Sequence, residues 1–337
     1  MKSWLVKTLL SLLVGALFIW LACRGIDFAE LRLALREVSL AHLWWYFVML
    51  SAIHLVRTWR WGLLLRPLGG VGWGRLLSAA SIGFMALMTL PLRLGELARP
   101  MLVAEPGRIR ISAALATVAL ERVMDSLVMA ALLAVMLLIP GVRSTDGNLE
   151  AWAGPVLGLF VLLLALLVLV LRYRQQSIEL AGKLIRPFSE RLAARVASMT
   201  GAFIDGLKIL PDLKGLSIFV LTTLVYWAMS GAGLVYMFGA FEPLKQFSWL
   251  EGYFVLSVLC VGLMIPAGPG MIGNFHYFVK IGLGVFASRE LGPSVMAYAI
   301  VVHAMQLGQQ VIWGLVFWLF RKPSLGGLGK LDQHAAQ

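Results

Sequence analysis

The chain has 337 residues, 60% of them hydrophobic and only 14% charged, with a net charge of +12. A soluble domain is nearer half apolar and a quarter charged, so the composition excludes a soluble globular protein and predicts an all-α, polytopic membrane protein. The positive surplus sits in connectors between apolar runs, where Lys and Arg mark cytoplasmic loops and meet anionic headgroups, and it requires no nucleic acid.

Residues 4–22 read as an uncleaved first span, with Lys2 and Lys7 at its start. The connector 24–41 balances Arg24, Arg32 and Arg36 against Asp27, Glu30 and Glu37. A second span is predicted over about 40–56, with Trp44, Trp45 and Tyr46 at one end and Trp59 and Trp61 at the other, as belts at the two headgroup levels. Arg57, Arg60, Arg66 and Arg75 follow without an acid. That is a cytoplasmic signal, and Arg57 and Arg60 read as anchors that snorkel to the interface, with contact to a substrate as the alternative.

The next stretch, residues 91–100, puts Arg93, Gly95, Glu96 and Arg99 between two apolar runs. The returning limb, 95–105, gives about 17 Å of helix, too short for a hydrocarbon core of about 30 Å. Residues 76–105 therefore read as a re-entrant hairpin that enters from the cytoplasm and turns near Pro91 and Gly95, with Pro100 kinking or starting its second limb. Span 111–139 leads outward and carries Glu121, Arg122 and Asp125. Glu121 lies about 15 Å in, near the midplane. Glu121 and Asp125 share a face, and Arg122 and Asp125 are spaced to pair.

The loop 141–153 is net acidic and reads as external, and span 154–171 returns. Residues 172–214 hold eight basic and four acidic side chains around an apolar stripe that includes Ile178, Ile185, Leu192 and Val196. They read as a cytoplasmic amphipathic helix, on the membrane or against the bundle. Span 216–239 goes out. A second hairpin enters from outside, with limbs 253–265 and 271–286 around the break Pro266-Ala-Gly-Pro-Gly270, and its second limb carries His276 and Lys280. Span 293–320 returns with His303, Gln306 and Gln310 on one face, and both termini are cytoplasmic.

Pro91-x-x-x-Gly95 and Pro266-x-x-x-Gly270 lie close to half the chain apart, and each break precedes a span with polar groups well inside it. The loop charges give the two units, about 40–140 and 216–320, opposite orientations, as in the inverted repeats of transporters. The expectation is a single domain over 1–337, with six spans and two re-entrant hairpins. Two half-helix N-termini meeting at the midplane would present free N–H groups and positive dipole ends. With Arg93 and Arg99 added and Glu96 tuning them, the site suits a phosphate inside the membrane, since ionisable groups there are costly and usually functional. The Glu121, Arg122, Asp125 group is either a gate to that site or an internally paired structural triad. His276 and His303 are either proton-linked or core residues. No nucleotide-binding motif, nucleophile arrangement or metal-ligand spacing is present, so no enzyme activity, metal or cofactor is expected. The two cysteines suggest no disulfide framework.

Four motifs in order carry a family likeness: Arg93-x-Gly95-Glu96-x-x-Arg99, Glu121-Arg122-x-x-Asp125, Pro269-Gly270-x-Ile272-Gly273-x-Phe275-His276 and Ala299-Ile-Val-x-His303. Together they resemble the lysylphosphatidylglycerol synthase transmembrane-region family, also described as flippase-like membrane proteins, over essentially the whole chain. The resemblance implies the histidine-bearing branch of that family, without the cytosolic aminoacyl transferase domain that some members carry. It implies a lipid translocase of the cytoplasmic membrane, whose partner is an anionic phospholipid or a polyprenyl-phosphate-type lipid, with homo-oligomerisation left open. The substrate-binding set would be Arg93, Gly95, Glu96, Arg99, Glu121, Arg122, Asp125, Gly270, Gly273, Asn274, His276, Lys280, His303 and Gln306. Two rivals are a membrane-embedded headgroup transferase and a protein that binds lipid without moving it.

Overall fold

The computed structural model describes residues 2–90, 95–105, 108–139, 172–187, 189–207, 213–265 and 268–321, with short pieces between 158 and 170. Arg93, Pro91, Pro266, the expected external loop 141–153 and most of the expected span 154–171 lie outside the described residues. The described chain is helical, with one isolated bridge between Glu105 and Ile109 as its only extended pairing.

Helix α1 (Lys2–Cys23) ends at a sharp bend, and α2 (Phe28–Arg36) leaves it at 89°. Asp27 causes the restart, since its Oδ1 accepts the backbone N–H of Ala29 at 2.7 Å. Helix α3 (Leu40–Leu65) is followed by α4 (Trp73–Thr89), the short α5 (Ala98–Val103) and α6 (Ile111–Leu138). The second half contains α7 (Arg174–Ile185), α8 (Glu190–Leu207), α9 (Leu213–Phe238), α10 (Trp249–Gly262), α11 (Asn274–Gly284) and α12 (Gly292–Arg321).

By length and apolarity, three described helical stretches can cross a membrane: Leu40–Leu68, Lys214–Phe238 and Arg289–Phe320. The bent pair Ser11–Cys23 and Phe28–Arg36 makes a fourth if counted as one span. The expected six is therefore not reached among the described residues. Helix α6 is long enough, with 28 residues, but its three charges remove the apolar signature. Leu13, Leu221 and Leu319 are each more than 60% exposed, as lipid-facing side chains would be.

Several boundaries differ from the sequence reading. Helix α3 runs nine residues past the expected end at Val56, so Arg57, Arg60 and Trp61 are helical. The amphipathic segment is two helices packed on each other, broken at Pro187, which cannot continue a helix. The Ser189 hydroxyl then accepts the Leu192 N–H at 3.3 Å and starts α8. The second limb of the later hairpin begins at Asn274 rather than Met271, because Gly270 (φ 68°), Met271 (φ 57°) and Gly273 (φ 97°) are all left-handed.

Packing in the two halves is reciprocal. Helix α4 packs on α12 while α10 packs on α6, and α2 packs on α12 while α8 packs on α6. Each short limb lies between its partner limb and the following long helix, and α3 pairs with α9. Lipid supplies no hydrophobic drive between helices, so small residues must admit close contact. Gly314 takes Met85 between α4 and α12, and Gly252 takes Val235 between α9 and α10. In the first hairpin, Gly95 sits directly against the backbone of Ala86 and Leu87, where no Cβ fits. Arg75 closes the base of that hairpin through Glu105 at 2.8 Å.

Candidate functional site: a buried ion-pair centre

Helices α3, α5 and α6 bring four charged side chains together. Arg60 donates from Nη2 to Glu121 Oε1 at 2.9 Å, and its two terminal nitrogens grip Asp125 at 2.5 and 3.0 Å. Arg99 donates from Nη1 to the other oxygen of Glu121 at 2.9 Å. Helix α9 adds the Trp227 indole N–H to Asp125 Oδ1 at 3.1 Å and the Thr223 hydroxyl near Arg60 at 3.4 Å. Arg60 and Glu121 are each 1% exposed, Arg99 2% and Asp125 6%. Two positive and two negative charges cancel, and every carboxylate oxygen has a donor, as burial in low dielectric requires.

Aromatic rings cover the guanidinium faces. Arg60 lies 4.8 Å from the Tyr226 ring centre, and Arg99 lies 4.5 Å from Phe84 and 5.1 Å from Trp61. Trp61 is fully buried and donates to the Thr117 hydroxyl at 3.0 Å. One turn before Arg60, Arg57 stands over Phe84 at 3.4 Å and donates to His54 Nδ1 at 2.8 Å. His54 Nε2 reaches the Ser81 hydroxyl at 2.9 Å. Arg57 always carries its protons, so Nδ1 accepts and the Nε2–H donates to Ser81.

Two expectations are corrected here. Arg60 is no snorkelling anchor, and Trp61 no belt residue; both face the protein interior because α3 continues through them. Asp125 does not pair with Arg122. It takes Arg60 instead, which offers a planar fork from the facing helix, and the buried Nε of Arg122 has no hydrogen-bond partner. The signal for Arg57 and Arg60 was in the sequence. His54, Arg57, Arg60 or Trp61 and Leu64 repeat at three- and four-residue steps, which continues one face of α3 beyond Val56.

The second-half residues group separately, around the Gly-rich break. His303 Nε2 donates to the Gly270 carbonyl at 2.8 Å, and its ring stacks on Phe275 at 4.4 Å. The His276 ring meets His303 edge-on at 4.9 Å, and its Nδ1 accepts the Gly273 N–H at 3.3 Å. Asn274 is fully buried and donates to the Ile265 carbonyl at 3.3 Å. Gln306 donates to the Tyr46 hydroxyl at 3.0 Å. Lys280 lies apart from this group, bonding the Ala22 and Arg24 carbonyls at the end of α1, at 2.9 and 2.7 Å.

The two breaks approach each other: a Cβ on Gly270 would stand 3.4 Å from the Met88 carbonyl near the end of α4. The expected meeting of two helix N-termini turns on residues 91–94 and 266–267, which lie outside the described residues. Helix α5 has only six residues, too few for a sizeable dipole, and Gly15 of α1 packs over Gly268 and Gly273 at the other break. Among the described residues no group of three or more His, Cys, Asp or Glu side chains could hold a metal ion.

No curated protein matches the chain. The family model described as lysylphosphatidylglycerol synthase TM region matches residues 8–314, and the chain therefore belongs to that family of integral membrane regions.

Proposed function

We propose that the protein is a translocase that moves a phosphate-bearing lipid between the leaflets of the cytoplasmic membrane. The observation that carries this reading is the buried ion-pair centre. Four charged side chains 6% exposed or less are expensive to maintain among membrane helices, and such groups mark pathways for charged substrates. The centre sits where α5, the returning limb of a broken helix pair, meets a long helix, and irregular backbone at membrane depth is tolerated where it lines a cavity or is buried in protein.

The reciprocal packing of the two halves supports an inverted repeat with two re-entrant hairpins, α4–α5 and α10–α11. It extends the repeat forward, since α2 and α8 hold equivalent places before α3 and α9. In this architecture one half rocks against the other about the α3–α9 contact, exposing the charged centre to each leaflet in turn. Transport draws on an ion or lipid gradient, with both termini on the cytoplasmic side.

Purified protein in liposomes tests the reading. Fluorescent phosphatidylglycerol in the inner leaflet becomes accessible to an impermeant quencher, while mass spectrometry shows its headgroup unchanged. Headgroup conversion would make the protein a transferase. Binding without exchange would make it an accessory lipid-binding protein. Either result ends the translocase reading.

A further inference from the structure

Two cations stand outside the hydrogen-bonded pairs of the ion-pair centre. Arg60 and Arg99 are spent on Glu121 and Asp125, whereas Arg57 and Arg122 are in no ion pair among the described residues, although Glu121, Asp125 and Glu96 act on Arg122 at longer range. Arg57 touches only neutral groups, His54 and the Phe84 ring. Arg122 keeps a buried Nε without a partner. The two are close enough to act on each other electrostatically, and Tyr226 stands within the same field. The Tyr226 hydroxyl has no hydrogen-bond partner among the described residues, although its ring lies 4.8 Å from Arg60.

We propose that Arg57 and Arg122, with the Tyr226 hydroxyl, receive the phosphate of the transported lipid, while Arg60 and the motif arginine Arg99 only hold the carboxylates in place. The proposal rests on the translocase reading and names the substrate contacts within it. Arg57 lies about 12 Å before the end of α3 and Arg122 about 17 Å past the start of α6, both well inside the helices. Two like charges at such depth are unfavourable until an anion arrives. Giving up neutral His54 for a phosphate oxygen exchanges an ordinary hydrogen bond for a charge-assisted one, so Arg57 is held ready rather than locked.

The charge count selects the ligand. Arg57, Arg60, Arg99 and Arg122 stand against Glu121, Asp125 and Glu96, the last acting on Arg99 and Arg122 from the hairpin. Among the described residues one positive charge remains, which matches a lipid phosphodiester. A free phosphate shares the chemistry and is separated by experiment.

Calorimetric titration of the full chain in detergent with dihexanoyl phosphatidylglycerol is the test, with inorganic phosphate as the second probe. The unaltered protein binds the lipid, and Arg57→Gln or Arg122→Gln each weakens binding about tenfold, the loss of one charge-assisted contact. Arg57→Lys retains part of the affinity, because the charge stays and the fork is lost. Variants that move lipid and bind it like the unaltered protein would overturn the assignment and leave the translocase reading standing. Failure of the unaltered protein to bind or move any phosphate lipid overturns both, and equal affinity for inorganic phosphate overturns the lipid as its source.

Discussion

The first half of the molecule and the second solve the same problem with different chemistry. Each contains a broken helix pair whose short limb must be held against a long helix. In the first half the holding is ionic: Arg99 from α5 reaches Glu121 on α6, and Arg60 joins Glu121 to Asp125 from α3. In the second half it is neutral: His303 from α12 binds the Gly270 carbonyl and stacks on Phe275 beside His276. Ionic holding leaves charge where it can be re-paired by a substrate. Neutral holding offers two hydrogen bonds and ring contact and places no charge there. Under the proposed function, the difference predicts substrate recognition in the first half and support in the second.

The largest effect that would break this comparison comes from Glu121→Gln. Removing that charge leaves Arg60 short of one partner and Arg99 without its hydrogen-bonded carboxylate, and breaking a buried ion pair costs about 3–5 kcal/mol. The expected outcome is low yield and a steep fall in thermal midpoint in detergent. His303→Gln removes a stack but leaves a donor able to reach the Gly270 carbonyl, so it should cost only about 1 kcal/mol. Lipid exchange should survive it. Equal destabilisation by the two changes, or loss of exchange in a stable His303→Gln protein, would erase the contrast between the halves.

The all-helical character, the two Gly- and Pro-rich breaks and the presence of charge inside α6 were legible in the sequence, because apolar run length and buried charge are local signals. The partners were not. Glu121, Arg122 and Asp125 look like a self-contained set on one helix, and i,i+3 spacing permits the pair between Arg122 and Asp125. The fork of Arg60 wins because it approaches from the facing helix and reaches both carboxylates at once, a long-range fact with no trace in α6 itself. Four arginines without an acid also suggested that the second span stops near Val56. Charge density ends a span only if the charges face solvent, and Arg60 faces protein. Lys280 shows how far a partner can lie in sequence, since a lysine near the second break bonds the carbonyls of Ala22 and Arg24.

The smallest expected effect belongs to Lys280. Its ammonium bonds the Ala22 and Arg24 carbonyls, the first within α1 and the second at the turn beyond it, and so completes a helix C-terminus that has no basic residue of its own in the last turn. A cation there also meets the negative end of the α1 dipole. The site is partly open to solvent, which screens the interaction, so Lys280→Met should cost about 0.5–1 kcal/mol and leave lipid exchange intact. The helix α11 that carries Lys280 packs on α1 through its other residues as well, and the methylene stem of Met keeps much of that contact. Measured exchange rates and thermal midpoints of the variant sharpen the comparison between the halves. A marked loss of exchange with unchanged stability would move a charged contact into the second half and end its purely supporting role.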